Sequence, residues 1–268
     1  MTTIDTGTDT LKAHVDGHVA VLTMNNPAKR NALSREMGDG MARALDFCET
    51  APEVRVVLLT GAQGAFCAGG DVSSMGEALG GDSDAMVARL RQSQDRVSLR
   101  LHTFPKVVIA ALPGPAAGAG MSIALACDLR VCAASAFLAP AFGAIGLSGD
   151  FGGSWYLTQL IGPGRAKEIY FSSRRIGAEE GQALGLFNRI LPDEHFDANA
   201  MAYAAEFAQQ APIALGLMKA NINRATVTDL PAALDAEAQG MIRTMLTEDH
   251  KGAARAFFEK RKPSFQGR

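Results

Sequence analysis

Charge is scarce in this chain. Of its 268 residues only 20% are Asp, Glu, Lys or Arg, and 26 basic side chains nearly cancel 28 acidic ones. A net charge of −2 leaves no basic face to displace counterions from a polyanion, which excludes nucleic acid as a partner. The four cysteines (Cys48, Cys67, Cys127, Cys132) show no C-x-x-C spacing. In a chain of this length they read as small buried apolar residues in a reducing compartment, not as a disulfide frame. The five histidines, His14, His18, His102, His195 and His250, have no metal-ligand spacing, so no metal is expected. Met1 to Thr10 is polar, with Asp5 and Asp9, and lacks the apolar centre of a signal peptide; the expected location is the cytoplasm. Low-complexity tracts and like-charge blocks are absent while 47% of the chain is hydrophobic, which excludes disorder. Only residues 107–127 lack charge over the roughly twenty residues a membrane span requires. Pro113, Gly114, Pro115, Gly118 and Gly120 would break such a span, leaving a buried strand, a turn and a helix, and no membrane partner.

The apolar pattern then places the elements. Leu11 to Met24 alternates about Gly17 and predicts a hairpin with a buried second strand. Ser34 is a fit N-cap for a helix to about Glu49, with Met37, Met41, Ala44, Leu45 and Cys48 on one face. Strands are expected at 54–60, 107–112, 129–132 and 136–138, and helices at 83–103 and 119–126. Beyond Gly152 helices dominate (152–161, 165–172, 178–184, 198–210, 212–224, 231–247 and 249–260), interrupted by one short strand at 189–191. Alternating strands and helices followed by helices alone predict an α/β core with a helical extension.

Two turns stand out. Residues 108–126 (VIAALPGPAAGAGMSIALA) run from strand through a glycine-rich turn into an apolar helix, which puts free N–H groups and the positive dipole end at that turn. Gly114, Gly118 and Gly120 fit the dinucleotide spacing G-x-x-x-G-x-G, yet the turn is mid-chain and neither Tyr156, Tyr170 nor Tyr203 has a lysine four residues on. The dehydrogenase reading fails. The second turn, Gly64 to Met75 (GAFCAGGDVSSM), is equally small-sided. Two bare N–H groups aimed at one carbonyl oxygen would form an oxyanion hole.

The residues of these segments resemble the enoyl-CoA hydratase/isomerase (crotonase) family. The likeness runs through Asn26-Pro27, Asn31-Ala32-Leu33, Phe66 to Asp71, Val108 to Gly114 with Gly118 and Gly120, Ile176 to Asn188, and Phe257 to Lys260. It implies a crotonase-like α/β spiral of ββα repeats over residues 1–197. It also implies a helical oligomerisation module over 198–268 that builds trimers or paired trimers. The implied substrate is a CoA thioester, with no cofactor beyond the coenzyme A that the substrate carries. Oxyanion-hole N–H groups fall at Ala68 and Ala119, the latter a departure from the usual glycine; each such donor is worth about 3 kcal/mol of barrier. Gly69, Gly70, Asp71, Val72, Gly118, Ser122 and Phe142 fall on the walls of the substrate site, with Asp71 shaping its turn. Lys29 and Arg30 fall where the adenosine end lies, and Phe257 and Lys260 where the last helix reaches the CoA of a neighbouring subunit. The plain alternative for Lys29 and Arg30 is exposed surface charge, and an ordinary amphipathic last helix accounts for Phe257 and Lys260 about equally well.

The family's two water-activating glutamates align with Ser122 and Phe142, and neither can act as a base. One carboxylate stands nearby, Asp150 in GLSGDFGGSWYL. An aspartate there resembles both the isomerases of the phenylacetyl-CoA pathway and the aromatic-acyl-CoA dehalogenases, which add a tryptophan where this chain has Phe142. An aspartate just ahead of a helix also serves as an N-cap. A single acid suits proton shuttling, so isomerisation with Asp150 as acid and base is the expectation. Hydration is the main alternative, and a non-catalytic CoA-ester binder remains a different class.

Overall fold

A computed structural model describes residues 1–71 and 82–268. Its centre is a seven-stranded sheet, in the order β1-β2-β3-β4-β5-β7-β10. β1 (Thr2–Ile4), β2 (Leu11–Asp16) and β3 (Val19–Met24) form an antiparallel edge. β4 (Val56–Gly61), β5 (Val107–Leu112), β7 (Leu129–Ala133) and β10 (Arg189–Leu191) continue it in parallel. Every residue of β4 and β5 is buried, as expected of apolar runs in a parallel sheet covered on both faces.

A second, three-stranded sheet consists of β6 (Ala116–Ala117), β8 (Phe137–Ala139) and β9 (Ile176–Gly177). Isolated bridges Leu33↔Gly70 and Cys67↔Ala116 extend its line of pairing. The chain therefore leaves a strand of the large sheet, pairs briefly in the small layer, and enters a helix, pass after pass. That is the predicted spiral. The helices so reached are α1 (Arg35–Thr50), α2 (Ser83–Gln94) continuing through a π-helical turn into α3 (Arg100–Thr103), α4 (Ala119–Ala126) and α5 (Gly153–Ser172). Ser34 caps α1, its hydroxyl accepting from the Met37 N–H at 3.1 Å, and the predicted face is buried. α5 breaks at Gly162 (φ 78°) ahead of Pro163, which restores the two predicted helical segments.

After α6 (Ala178–Ala183) and β10 come α7 (Phe196–Ala208), α8 (Pro212–Ala225), α9 (Leu230–Met245) and α10 (Glu248–Phe258). The expected boundary at 197/198 falls inside α7. α7 packs on β3, β4, β5 and β10, with Phe196, Ala200, Tyr203, Ala204 and Ala208 buried, so it covers the sheet and belongs to the core. α8 is pinned back by Lys219, whose ammonium donates to Asp128 at 2.9 Å and to the Leu101 carbonyl at 3.1 Å. β1 was unforeseen because its polar residues carry no strand signal; pairing with β2 makes it. Among the described residues, no helix is long and apolar enough to cross a membrane.

Candidate active site

The site is built where the second and third passes of the spiral meet. The 66–71 segment lies between two partners: Leu33 on one side and Pro115–Ala117 on the other. Asn31, fully buried with φ 57°, fixes the first side. Its Nδ2 donates to the Ala62 and Ala65 carbonyls at 2.9 and 2.8 Å, and its Oδ1 accepts from the Asn26 N–H. Sequence reasoning quoted Asn31 without a role; its role is to hold this turn. Gly120 fixes the other side, since a Cβ there would lie 2.2 Å from the Cys67 carbonyl oxygen. The start of α4 therefore presses against the turn, and an ideal Cβ on Gly69 would fall 3.7 Å from the Ala119 nitrogen. The two turns converge.

Their donors differ from the expected pair at one position. The Ala119 N–H opens α4 and has no acceptor among the described residues. The Ala68 N–H has one: it donates to the Arg30 carbonyl at 3.0 Å, and a donor paired inside the fold is closed to a substrate. Two residues on, Leu33 takes both bonds of its bridge, donating to Gly69 O at 2.7 Å and accepting from Asp71 N at 3.1 Å. The Gly70 N–H between them faces away from Leu33, toward the α4 side, and has no acceptor among the described residues. Within this turn it is the Gly70 N–H, and not that of Ala68, that has no acceptor among the described residues.

Gly118, with φ 52°, sends its own N–H to the Ala139 carbonyl at 2.9 Å and aims α4. Its Cα side faces the Phe142 ring, which reaches on to Gly149. One turn along α4, Ser122 is fully buried and its hydroxyl donates to the Gly118 carbonyl at 3.3 Å. Asp150 lies in the loop closing this space. It does not cap α5: the capping position is Gly152, no side chain among the described residues bonds there, and only the Asp150 backbone carbonyl accepts from Gly153 N–H, at 3.1 Å. Its Oδ1 is buried without a hydrogen-bond partner among the described residues. Burial pushes the carboxyl up from its ordinary 3.8 to about 6. Burial also raises the Cys67 thiol to about 11, with a smaller push from Asp150, which puts the carboxylate within electrostatic reach of the 66–71 turn.

The remaining expected residues fall as follows. Asp71 is paired with Lys29 at 2.6 Å, tying the 27–30 loop to the turn. Arg30 is exposed and Val72 lies outside the described residues. Phe257 and Lys260, at the end of α10, are exposed; that helix packs on α9, and the chain's own fold does not join them to Asp150. A cavity of about 990 Å³ opens elsewhere, between Thr50, Ser98, His102, Trp155, Ile213 and Lys219, and neither Ala119 nor Asp150 lines it.

Known proteins share this arrangement over almost the full length. The family model for enoyl-CoA hydratase/isomerase matches residues 14–268. A short-chain-enoyl-CoA hydratase of Clostridium acetobutylicum is 36% identical over 92% of this chain and 94% of its own length. A 1,2-epoxyphenylacetyl-CoA isomerase of Escherichia coli is 33% identical over 96% and 98%. Among solved structures, an enoyl-CoA hydratase from a Polaromonas species superposes with a TM-score of 0.91 at 33% identity, covering 95% of this chain and 99% of that one. Fold, converging turns and whole-length similarity agree: the chain belongs to the enoyl-CoA hydratase/isomerase family, enzymes that act on CoA esters.

Proposed function

We propose that this enzyme isomerises an enoyl-CoA thioester. The Gly70 and Ala119 N–H groups receive the thioester oxygen, and Asp150 removes a proton from one acyl carbon and returns it to another. Loss of the α-proton sends negative charge to that oxygen. Two fixed donors, one at the positive end of α4, stabilise the enolate most at the moment the charge develops. The observation that carries the reading is the Asp150 carboxyl: a lone, partly buried acid with an unpaired oxygen and a pKa of about 6, close to where a base at neutral pH is most effective. Ser122 and Phe142 stand at the two positions where water addition would need acids.

CoA binding past Lys29 and Arg30, and completion of the site by Phe257 and Lys260 of another copy, belong to the same reading. So does assembly into trimers or paired trimers. Met218, Ile222, Leu234, Met241 and Met245 are exposed along α8 and α9, and this apolar surface supports the contact between copies.

The test is incubation with crotonyl-CoA and, separately, a 3-enoyl-CoA, followed by ultraviolet absorbance. Isomerisation is expected as signal gained from the 3-enoyl ester, and Asp150→Asn should abolish it while CoA-ester binding persists. Loss of signal from crotonyl-CoA alone means hydration, and full activity in the Asn variant removes Asp150 from the mechanism.

A further inference from the structure

Asp150 rides on a loop that runs directly into α5, and one side chain of the first turn of α5 ties that junction to another helix. Gly152 turns the backbone into α5 with φ 78° and has the Tyr156 ring against it: an ideal Cβ on Gly152 would lie 2.8 Å from the ring edge. Backbone bonds link the same turn to the loop, the Tyr156 N–H donating to the Gly152 carbonyl at 3.0 Å and the Gly153 N–H to the Asp150 carbonyl at 3.1 Å. The far end of Tyr156 leaves α5. Its hydroxyl donates to the Ser98 carbonyl at 3.2 Å in a buried bond. Ser98 belongs to the π-helical turn, Asp95–Leu99, that joins α2 to α3. Such widened turns are rare and recur at functional sites.

Packing does not hold this junction from every side. Gly152, Trp155, Tyr156, Ser98 and His102 all line the cavity of about 990 Å³, so on that side this chain lays nothing further against the start of α5. The rings of His102, Trp155 and Tyr156 meet there with centroids 5.2 to 5.4 Å apart, and Trp155 is exposed. Phenylalanine would fill the volume of Tyr156; the hydroxyl adds the tie. Burial pushes the phenol up to about 12, so it stays a donor at any working pH.

We infer that Tyr156 is a positioning residue for Asp150: its hydroxyl, anchored on the π-helical turn, fixes the first turn of α5 and with it the loop that aims the carboxyl. The inference rests on Asp150 being the acid and base of the proposed isomerisation. Misplacing a reacting group by about 1 Å costs about a hundredfold in rate, so a tie of this kind governs turnover. It also governs the acid itself. Burial is what raises Asp150 to about 6, and a loop freed to admit water loses part of that rise.

The pH profile separates positioning from plain structural support. Turnover of a 3-enoyl-CoA by the whole enzyme and by Tyr156→Phe is followed from about pH 4 to 9, where the ascending limb of kcat/KM reports the free base. The groups that feel the Asp150 charge, Cys67 and Tyr170, lie at about 11 and about 12 and do not titrate with it. His102, which burial and Lys219 hold below its ordinary 6.5, is the other candidate beside the junction, so the limb is expected to persist in His102→Gln. Tyr156→Phe should lower kcat about tenfold or more, leave KM within about twofold, and move the limb down by about half a unit or more. A limb that stays in place, a loss confined to KM, or a variant equal to its parent overturns the inference. Absence of a limb near 6 in the unaltered enzyme, or its loss in His102→Gln, overturns the Asp150 reading beneath it, and the inference falls with that reading.

Discussion

Replacing Asp150 by Asn should strengthen the fold even as it removes activity, and the size of the gain follows from the carboxyl's environment. Burial holds Asp150 protonated up to about 6, against an ordinary 3.8 in the unfolded chain. The native state thus binds this proton more tightly, and between about pH 4 and 6 rising pH favours unfolding. At about 1.4 kcal/mol per pH unit, the ionised carboxylate costs the fold about 3 kcal/mol at most. The group is only partly buried, and solvent screening reduces this to about 1–2 kcal/mol. Asparagine keeps the shape and never carries the charge. Denaturant unfolding at one protein concentration should therefore place Asp150→Asn above the parent by about 1–2 kcal/mol at pH 8, with the gap closing by about pH 4. A variant no more stable than the parent at pH 8, or a gap indifferent to pH, would refute the reasoning. It would mean that the carboxylate is anchored by structural bonds and not held open for chemistry.

Two further perturbations probe the scaffold. Lys219→Met strips the cation from Asp128, whose side chain is only 18% exposed, and should cost about 3–5 kcal/mol, read as a lowered denaturant midpoint; an unmoved midpoint would show that α8 is held by other contacts. Gly120→Ala puts a methyl 2.2 Å from the Cys67 oxygen, forcing α4 off the 66–71 turn. It should cost about 1–3 kcal/mol of stability and most of the turnover, and retention of full activity would mean that this spacing does not set the site.

Much of the fold was legible because the strongest signals in the sequence are those the structure uses. The β-branched runs at 56–61 and 107–112 became the buried centre of the sheet, and the Met37, Met41, Leu45, Cys48 stripe became the inner face of α1. What escaped were elements that only partners create. β1, β6 and β9 are two or three residues long, and their strand character comes from pairing with β2 and β8. α7 carried a helix signal, but periodicity records that a face is buried and not that the sheet buries it.

The site shows the same division at finer scale. The resemblance and the residue types single out Asp150 as the candidate acid and discount Ser122 and Phe142, because a side chain's chemistry is written in its letter. A main-chain donor is not. Ala68, Gly69 and Gly70 are indistinguishable as N–H groups, and which of them faces the α4 terminus depends on register: Arg30 takes the first, while the Leu33 bridge turns the third outward. The glycines supplied a clue that was available, since a side chain at Gly69 would intrude where the two turns meet. Gly69 confirms it with φ 109° and a Cβ position crowded by the Ala117 carbonyl at 3.1 Å. The pair of backbone donors proposed here is thus specified indirectly, by the residues that occupy the competing carbonyls and by those small enough to let two turns touch.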